Sequence, residues 1–281
     1  MTTARSIAHI IEPQLVAEGA GVLLRRSFGP HRTNYFDPFL LFDHFAFNDP
    51  REGPIRGFPM HPHRGIETVT YMLAGTVNHR DSLGNAGLIG PGDAQWMTSG
   101  RGILHEELPR RNAGGKINGF QLWINLPAAL KMSAPRYQDI RAEDIPSVAK
   151  EGAIIRLVAG QLNGTYGPVT EIAARPIYLE VTLPAGATFT YPVPRGHTLL
   201  TYVFEGAGNF GADHARVESV SMVMFDDGDQ LDAQTDEGVR FMLIAGAPFR
   251  EPIVPYGPFV MNTVEEIQQA IMDFRNGTFA R

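Results

Sequence analysis

The sequence predicts an all-β protein of two tandem jelly-roll barrels ending in one short C-terminal helix. Three features predict it: many short strand-like runs, an internal repeat, and a single convincing helical segment at the end. The runs 68–73, 119–126, 154–159, 177–183, 199–204, 221–225 and 240–245 are rich in β-branched and aromatic residues and bounded by Gly or Pro. Thirty Gly and 21 Pro, spread along 281 residues, suit tight turns between short strands. Helix is expected from about 264 to 275. Asn262 is its expected cap, Glu265 and Glu266 lie in its first turn, and Gly277 follows it.

The repeat carries the domain organisation. Residues 61–75, HPHRGIETVTYMLAG, align with 192–206, PVPRGHTLLTYVFEG, at a constant offset of 131, so that Arg-Gly, Thr-Tyr and the final Gly coincide. Further on, Gly92-Asp93 aligns with Gly228-Asp229 and Gly102 with Gly238, at an offset of 136. Two copies of one strand-turn-strand plan imply two packed barrels, expected over 1–132 and 133–281.

Composition narrows the function. Hydrophobic content of 43% with 19% charged residues allows a sizeable core. The net charge of −6, with no basic stripe, argues against direct nucleic-acid binding. There is no cysteine, which excludes disulfides, thiolate metal sites and a cysteine nucleophile. No apolar run reaches the ~20 residues of a membrane helix, and the N-terminus lacks an uninterrupted apolar core. A soluble, cytoplasmic protein is the expectation.

The chemistry gathers in the first repeat. His61 and His63 are two residues apart, so on an extended segment both rings face the same side. His105 and Glu107 repeat that spacing. In the second repeat these positions align with Pro192, Pro194, Phe241 and Leu243, so the four side chains are not needed merely to build the fold. Three imidazoles and a carboxylate suit Fe, Mn, Ni, Cu or Zn, with coordination positions left open for water, O₂ or substrate. Glu67, six residues after His61, is on the same face of a regular strand, and spacing alone does not choose between Glu67 and Glu107.

Other polar residues read more plainly. His79-Arg80-Asp81 reads as a turn with solvated groups, and His44 as a hydrogen-bonded packing residue. His9, His31, His197 and His214 read as surface or loop positions, and Gln95, Trp96 and Met97 as core.

At these residues the sequence resembles the pirin family of the cupin superfamily. The matching stretches are DPFLLFDHF at 37–45, HPHRGIETVTYMLAG at 61–75, HRDSLGN at 79–85, PGDAQWMTSGRGILHEE at 91–107, GFQLWINLP at 119–127 and GPFVMNT at 257–263. The resemblance implies two cupin barrels, with an Fe(II) site in the first formed by His61, His63, His105 and Glu107, and Glu67 behind them. Mn, Ni, Cu, Zn or Co are the alternative ions. It also implies one of two functions. The first is a quercetin 2,3-dioxygenase-type oxygenase that opens a flavonol-like aromatic enol with O₂, Glu107 serving as base. The second is a non-enzymatic, iron-dependent regulator that binds a protein partner. Phe36, Phe42, Phe45 and Phe58 are the candidate walls for a flat substrate.

Overall fold

The computed structural model describes residues 2–33, 35–46, 51 and 53–280. About half of these residues lie in strands, which pair antiparallel, and among the described residues there is one α-helix, Val264–Arg275. The chain forms two compact units. One comprises residues 14–142 and 249–281, the other 1–13 and 143–248.

The first unit is a jelly roll of two sheets. Its seven-stranded sheet runs in the order Arg136–Ile140, Ala94–Thr98, Ile66–Ala74, Asn118–Asn125, Phe39–His44, Val22–Phe28, Gln14–Glu18. Its four-stranded sheet has the order Phe58–His63, Ile103–Arg110, Thr76–Asp81, Ala86–Ile89. In Ile66–Ala74 the first seven residues are all buried, which is why this central strand reads as a continuous run of β-formers.

The second unit repeats the plan with a different interior. Its long strand Thr198–Phe210 pairs with Ser221–Phe225 on one side and Val239–Gly246 on the other. Its barrel is filled by apolar side chains. Phe241 meets Phe189 and Phe210 edge-on, at centroid distances of 5.7 and 5.1 Å.

Strand pairing revises the second half of the repeat alignment. Thr188–Pro192 is the counterpart of Phe58–His63, and it pairs with Gln230–Gln234, Pro192 facing Gln230. His61 faces His105 in the same way. The partner of His105 is therefore Gln230 rather than Phe241. The sequence match at Gly238 aligned one strand too far. The contrast survives, because Pro192, Pro194 and Gln230 offer no imidazole.

The units also divide the chain differently from the expected contiguous halves. Residues 7–11 form an edge strand beside Ser221–Phe225 in the second unit, while the C-terminal helix belongs to the first. The helix is where it was expected, but its cap is Thr263. The Thr263 side chain accepts from the Glu266 N–H, and Glu266 answers in a capping box. Asn262 instead donates to the Pro252 carbonyl and the Glu251 carboxylate.

Buried cations tie this C-terminal segment to the ligand-bearing turn. Arg64, which follows His63, donates to Asp273 at 2.7 Å and lies 4.4 Å from the Phe279 ring centroid. Gly65 adopts φ +80°, and a Cβ there would stand 2.2 Å from the Val260 carbonyl, so the close approach requires glycine. Lys131, 1% exposed, donates to the Gly65 and Val260 carbonyls and to Asn125 Oδ1 at 2.7–2.9 Å. Burial pushes its pKa down to about 7, against the attraction of Glu251 and Glu266.

Lys131→Met would remove the ammonium donor from three buried acceptors, of which the Gly65 carbonyl keeps only a long bond from the Leu126 N–H at 3.4 Å. We expect a loss of about 3 kcal/mol, read as a fall in the thermal midpoint of roughly 6–12 °C. An unchanged midpoint would show that the ammonium is not the tie.

Candidate metal centre

The centre is made by the pairing of two short strands. Phe58–His63 runs antiparallel to Ile103–Arg110, with His61 opposite His105 and His63 opposite Ile103. The pairing is irregular between His105 and Glu107. Cross-strand neighbours on one face approach closely, and the i, i+2 spacing adds His63. The three side chains each present a ring nitrogen within 4.8 Å of the others. The ring centroids are 4.4 Å apart for His61–His105, 4.9 Å for His61–His63 and 5.0 Å for His63–His105.

The environment keeps these imidazoles neutral. Burial lowers the pKa of all three, and the neighbouring imidazoles lower His63 and His105 further. His61 Nδ1 lies 2.9 Å from the Pro59 carbonyl, which can only accept, so Nδ1 carries the proton and Nε2 the lone pair. That Nε2 stands 3.1 Å from His63 Nε2. His63 Nδ1 faces the Pro258 carbonyl without completing a hydrogen bond of good geometry. Both nitrogens of His105 are buried without a partner. Within the cluster His61 and His63 find only each other's Nε2 and His105 finds no partner, a grouping that suits a cation accepting lone pairs, so the donor set fits a divalent metal of borderline character.

The two candidate carboxylates are placed differently, and neither belongs to the close group of ligand nitrogens. Glu67 Oε1 accepts from Thr98 Oγ1 at 2.8 Å and its Oε2 from Trp96 Nε1 at 3.2 Å. Glu107 lines the same cavity as His61 and His63, and its Oε1 accepts from Thr70 Oγ1 at 3.2 Å. Burial raises both carboxyls to about 7.

That cavity encloses about 470 Å³, the size of a small-molecule site. Phe45, Phe58, Trp123, Leu24 and Leu41 provide apolar walls. Of the four expected phenylalanines, two line it. Phe42 stacks on Phe120 in the core and Phe36 on Phe28.

A polar row crosses the seven-stranded sheet in register. Arg26 faces Asp43, Asp43 faces Gln121, Gln121 faces Thr70, Thr70 faces Gln95, and Gln95 faces Asp139. Hydrogen bonds join its members: Arg26 to Asp43, Gln95 to Asp139 at 2.8 Å, and Thr70 to Gln121 Oε1 at 2.9 Å, the one hydroxyl proton of Thr70 being shared between Gln121 and Glu107. Arg26, Asp43, Gln121 and Thr70 all line the cavity. Sequence reasoning missed this row. Its signal is a lone polar residue inside three of the apolar runs, as in Val69-Thr70-Tyr71, Ala94-Gln95-Trp96 and Phe120-Gln121-Leu122.

Other polar residues also depart from expectation. His79 and Asp81 lie in the strand Thr76–Asp81 and are buried, not solvated in a turn. The His79 ring is 5.7 Å from His105 and 4.9 Å from Tyr137, and both its nitrogens lack a partner. Arg80 alone is exposed, paired with Glu106. His44 is the packing residue expected, buried and 2.8 Å from Asn118 Oδ1. Gln95, Trp96 and Met97 are buried as expected, whereas His197 is buried rather than superficial.

Comparison with known proteins places this barrel in a family. The family model described as Pirin matches residues 21–124, and that described as Pirin C-terminal cupin domain matches 178–280. The chain belongs to the pirin family. It is 43% identical to a pirin-like protein of Caulobacter vibrioides, over 98% of this chain and 99% of that one. Against human pirin the identity is 42%, over 98% and 94%. Among solved structures, a quercetin 2,3-dioxygenase from Acinetobacter baumannii superposes with a TM-score of 0.89 at 36% identity, covering 98% of each chain. Both pirin barrels are thus cupins, and the imidazole cluster lies in the first.

The position of Glu67 generates a pH test. Unfolded, its carboxyl titrates near 4.5; folded, near 7. Between these values the native state binds more protons, so this group makes stability fall as pH rises. Glu67→Gln removes the dependence whatever fixed cost the amide carries. Relative to the parent protein, the variant should gain about 2–3 kcal/mol between about pH 5 and 8, measured by denaturant unfolding. Parallel pH profiles would count against a protonated Glu67.

Proposed function

We propose that this pirin is a metal-dependent dioxygenase of the quercetin 2,3-dioxygenase type, using Fe(II) to open flavonol-like aromatic enols with O₂. The observation that carries this reading is the cluster of three neutral imidazoles, two of which, His61 and His63, line with Glu107 a cavity walled mainly by apolar and aromatic groups. Likeness over 98% of the chain to a solved quercetin 2,3-dioxygenase supports it.

His61, His63 and His105 would hold the ion, with Glu107 as the fourth protein ligand when its carboxylate swings toward them. Bound there, Fe(II) would supply Lewis acidity toward the enol oxygen and the redox chemistry of O₂. Glu107 takes the enol proton. Thr70 steadies its Oε1, which leaves Oε2 to face the substrate. Phe45, Phe58 and Trp123 sandwich the flat ring system and keep water away from the enolate. The balance is one flavonol and one O₂ giving a depside ester and carbon monoxide, with two carbon–carbon bonds broken.

The test is anaerobic reconstitution with Fe(II), then admission of O₂ with quercetin. The flavonol absorption should fall and carbon monoxide should appear. His105→Ala should retain less than about a tenth of the parent's metal content, and Glu107→Gln should bind the ion at least about tenfold more weakly. Full metal content in His105→Ala would overturn the site. Intact quercetin with a metal-loaded protein would overturn the activity, leaving the iron-dependent regulator as the reading.

A further inference from the structure

Part of the cavity lining, on the strands Gln14–Glu18, Val22–Phe28 and Phe39–His44, is a charge cluster. Arg26 Nε and Nη2 donate to the two oxygens of Asp43 at 2.9 and 2.8 Å, and its Nη1 donates to Glu18 Oε1 at 2.8 Å. A two-pronged bond of this kind fixes the guanidinium plane. Three of its five N–H groups are used, which leaves one on each Nη without a protein partner among the described residues. The Arg26 side chain is 24% exposed, and all three residues line the cavity that also holds His61, His63 and Glu107.

Register supplies the distance. Along the sheet the strand of Arg26 is the third from that of Thr70. At the usual strand spacing their backbones are about 14 Å apart. A planar molecule of two or three rings spans from Thr70, which meets Glu107, towards Arg26, and a single ring does not. The cluster's charge supplies the selectivity. One cation against two carboxylates leaves a net negative end, which repels an anion. A neutral hydroxyl can accept from Arg26 and donate to Glu18.

We propose that Arg26, held by Asp43 and Glu18, is a specificity-determining residue that selects ligands carrying a phenolic hydroxyl at the end remote from Thr70 and Glu107. The selection acts against an apolar or carboxylate-bearing ring at that end. The inference rests on the flavonol reading above for the probes that it uses.

The experiment measures anaerobic binding to the Fe(II)-loaded protein by fluorescence quenching. The probes are 3-hydroxyflavone, its 4′-hydroxy and 7-hydroxy derivatives, and its 4′-carboxylate. The parent protein should bind one hydroxylated derivative about tenfold more tightly than 3-hydroxyflavone, and the carboxylate more weakly than either. In Arg26→Gln that preference should disappear while 3-hydroxyflavone binds within about twofold of the parent. Arg26→Lys, which keeps the charge and loses the fork, should show an intermediate preference. A structural role for Arg26 would weaken all probes together, so a parallel loss overturns the proposal, as does a preference that survives in Arg26→Gln. Should Arg26→Gln fail to fold with Asp43 unpaired, Glu18→Gln decides. Glu18 is 43% exposed, and its substitution should abolish the phenol preference and improve binding of the carboxylate. Unchanged ratios there overturn the proposal. An Arg26-dependent preference without turnover would sustain this inference and remove the oxygenase reading. Failure of every probe to bind the parent would remove both.

Discussion

Two short antiparallel strands set the conditions for everything else in the first barrel. With His61 opposite His105 and His63 one step along the same face, three ring nitrogens converge where His61 and His63 have only each other as partners and His105 has none. Each unsatisfied buried polar group costs on the order of 1–3 kcal/mol, so the surroundings must hold the arrangement in place. Pro59 fixes the His61 tautomer. Trp123 lies edge-on to His63 at 5.0 Å. Arg64 and Lys131 secure the turn after His63 to a segment nearly two hundred residues away in sequence. The same low polarity that keeps the imidazoles neutral makes them available as lone-pair donors.

The two barrels show how little sequence separates such a site from a core. Both use the same strand-turn-strand plan, with the same pairing around a long central strand. In the second, proline stands where His61 and His63 stand in the first, and Phe189, Phe210 and Phe241 pack edge-to-face inside the barrel. Aromatic side chains bury large areas and close the interior to water. In the first barrel smaller or polar side chains occupy inward positions, and a cavity of about 470 Å³ remains. The jelly roll tolerates either filling because its strands are held by backbone pairing, which does not depend on what the inward side chains are.

Local patterns were legible in the sequence, and non-local ones were not. The i, i+2 histidines, the short strands bounded by Gly and Pro, and the C-terminal helix each follow from residues near one another in the chain. His79 was misread because His-Arg-Asp at the end of a strand has the composition of a turn; only the neighbouring strand Ile103–Arg110, which pairs it with Glu107, buries it. The crossing of terminal segments between units escaped for the same reason, since contiguity says nothing about which barrel an edge strand or helix caps. The repeat was found correctly over 61–75 and then slipped by one strand. Gly residues mark turns and cannot by themselves say which turn.

The polar row is the clearest case of information that exists only in the register. Arg26, Asp43, Gln121, Thr70, Gln95 and Asp139 come from six strands, and Gln121, Thr70 and Gln95 are bordered in sequence on both sides by residues that read as core. Because side chains alternate along a strand and align across it, a single polar position repeated at matching register forms a stripe. Apolar groups such as Leu24, Leu41 and Trp123 lie two residues from members of that stripe on the same strands and line the same cavity. The result is an amphipathic floor with hydrogen-bonding groups along one line and hydrocarbon beside it. A flat molecule with oxygens along its edge and apolar faces matches such a floor, and a spherical or uniformly charged one does not. This shape and polarity follow from strand register alone, so they hold whichever ion the imidazoles take.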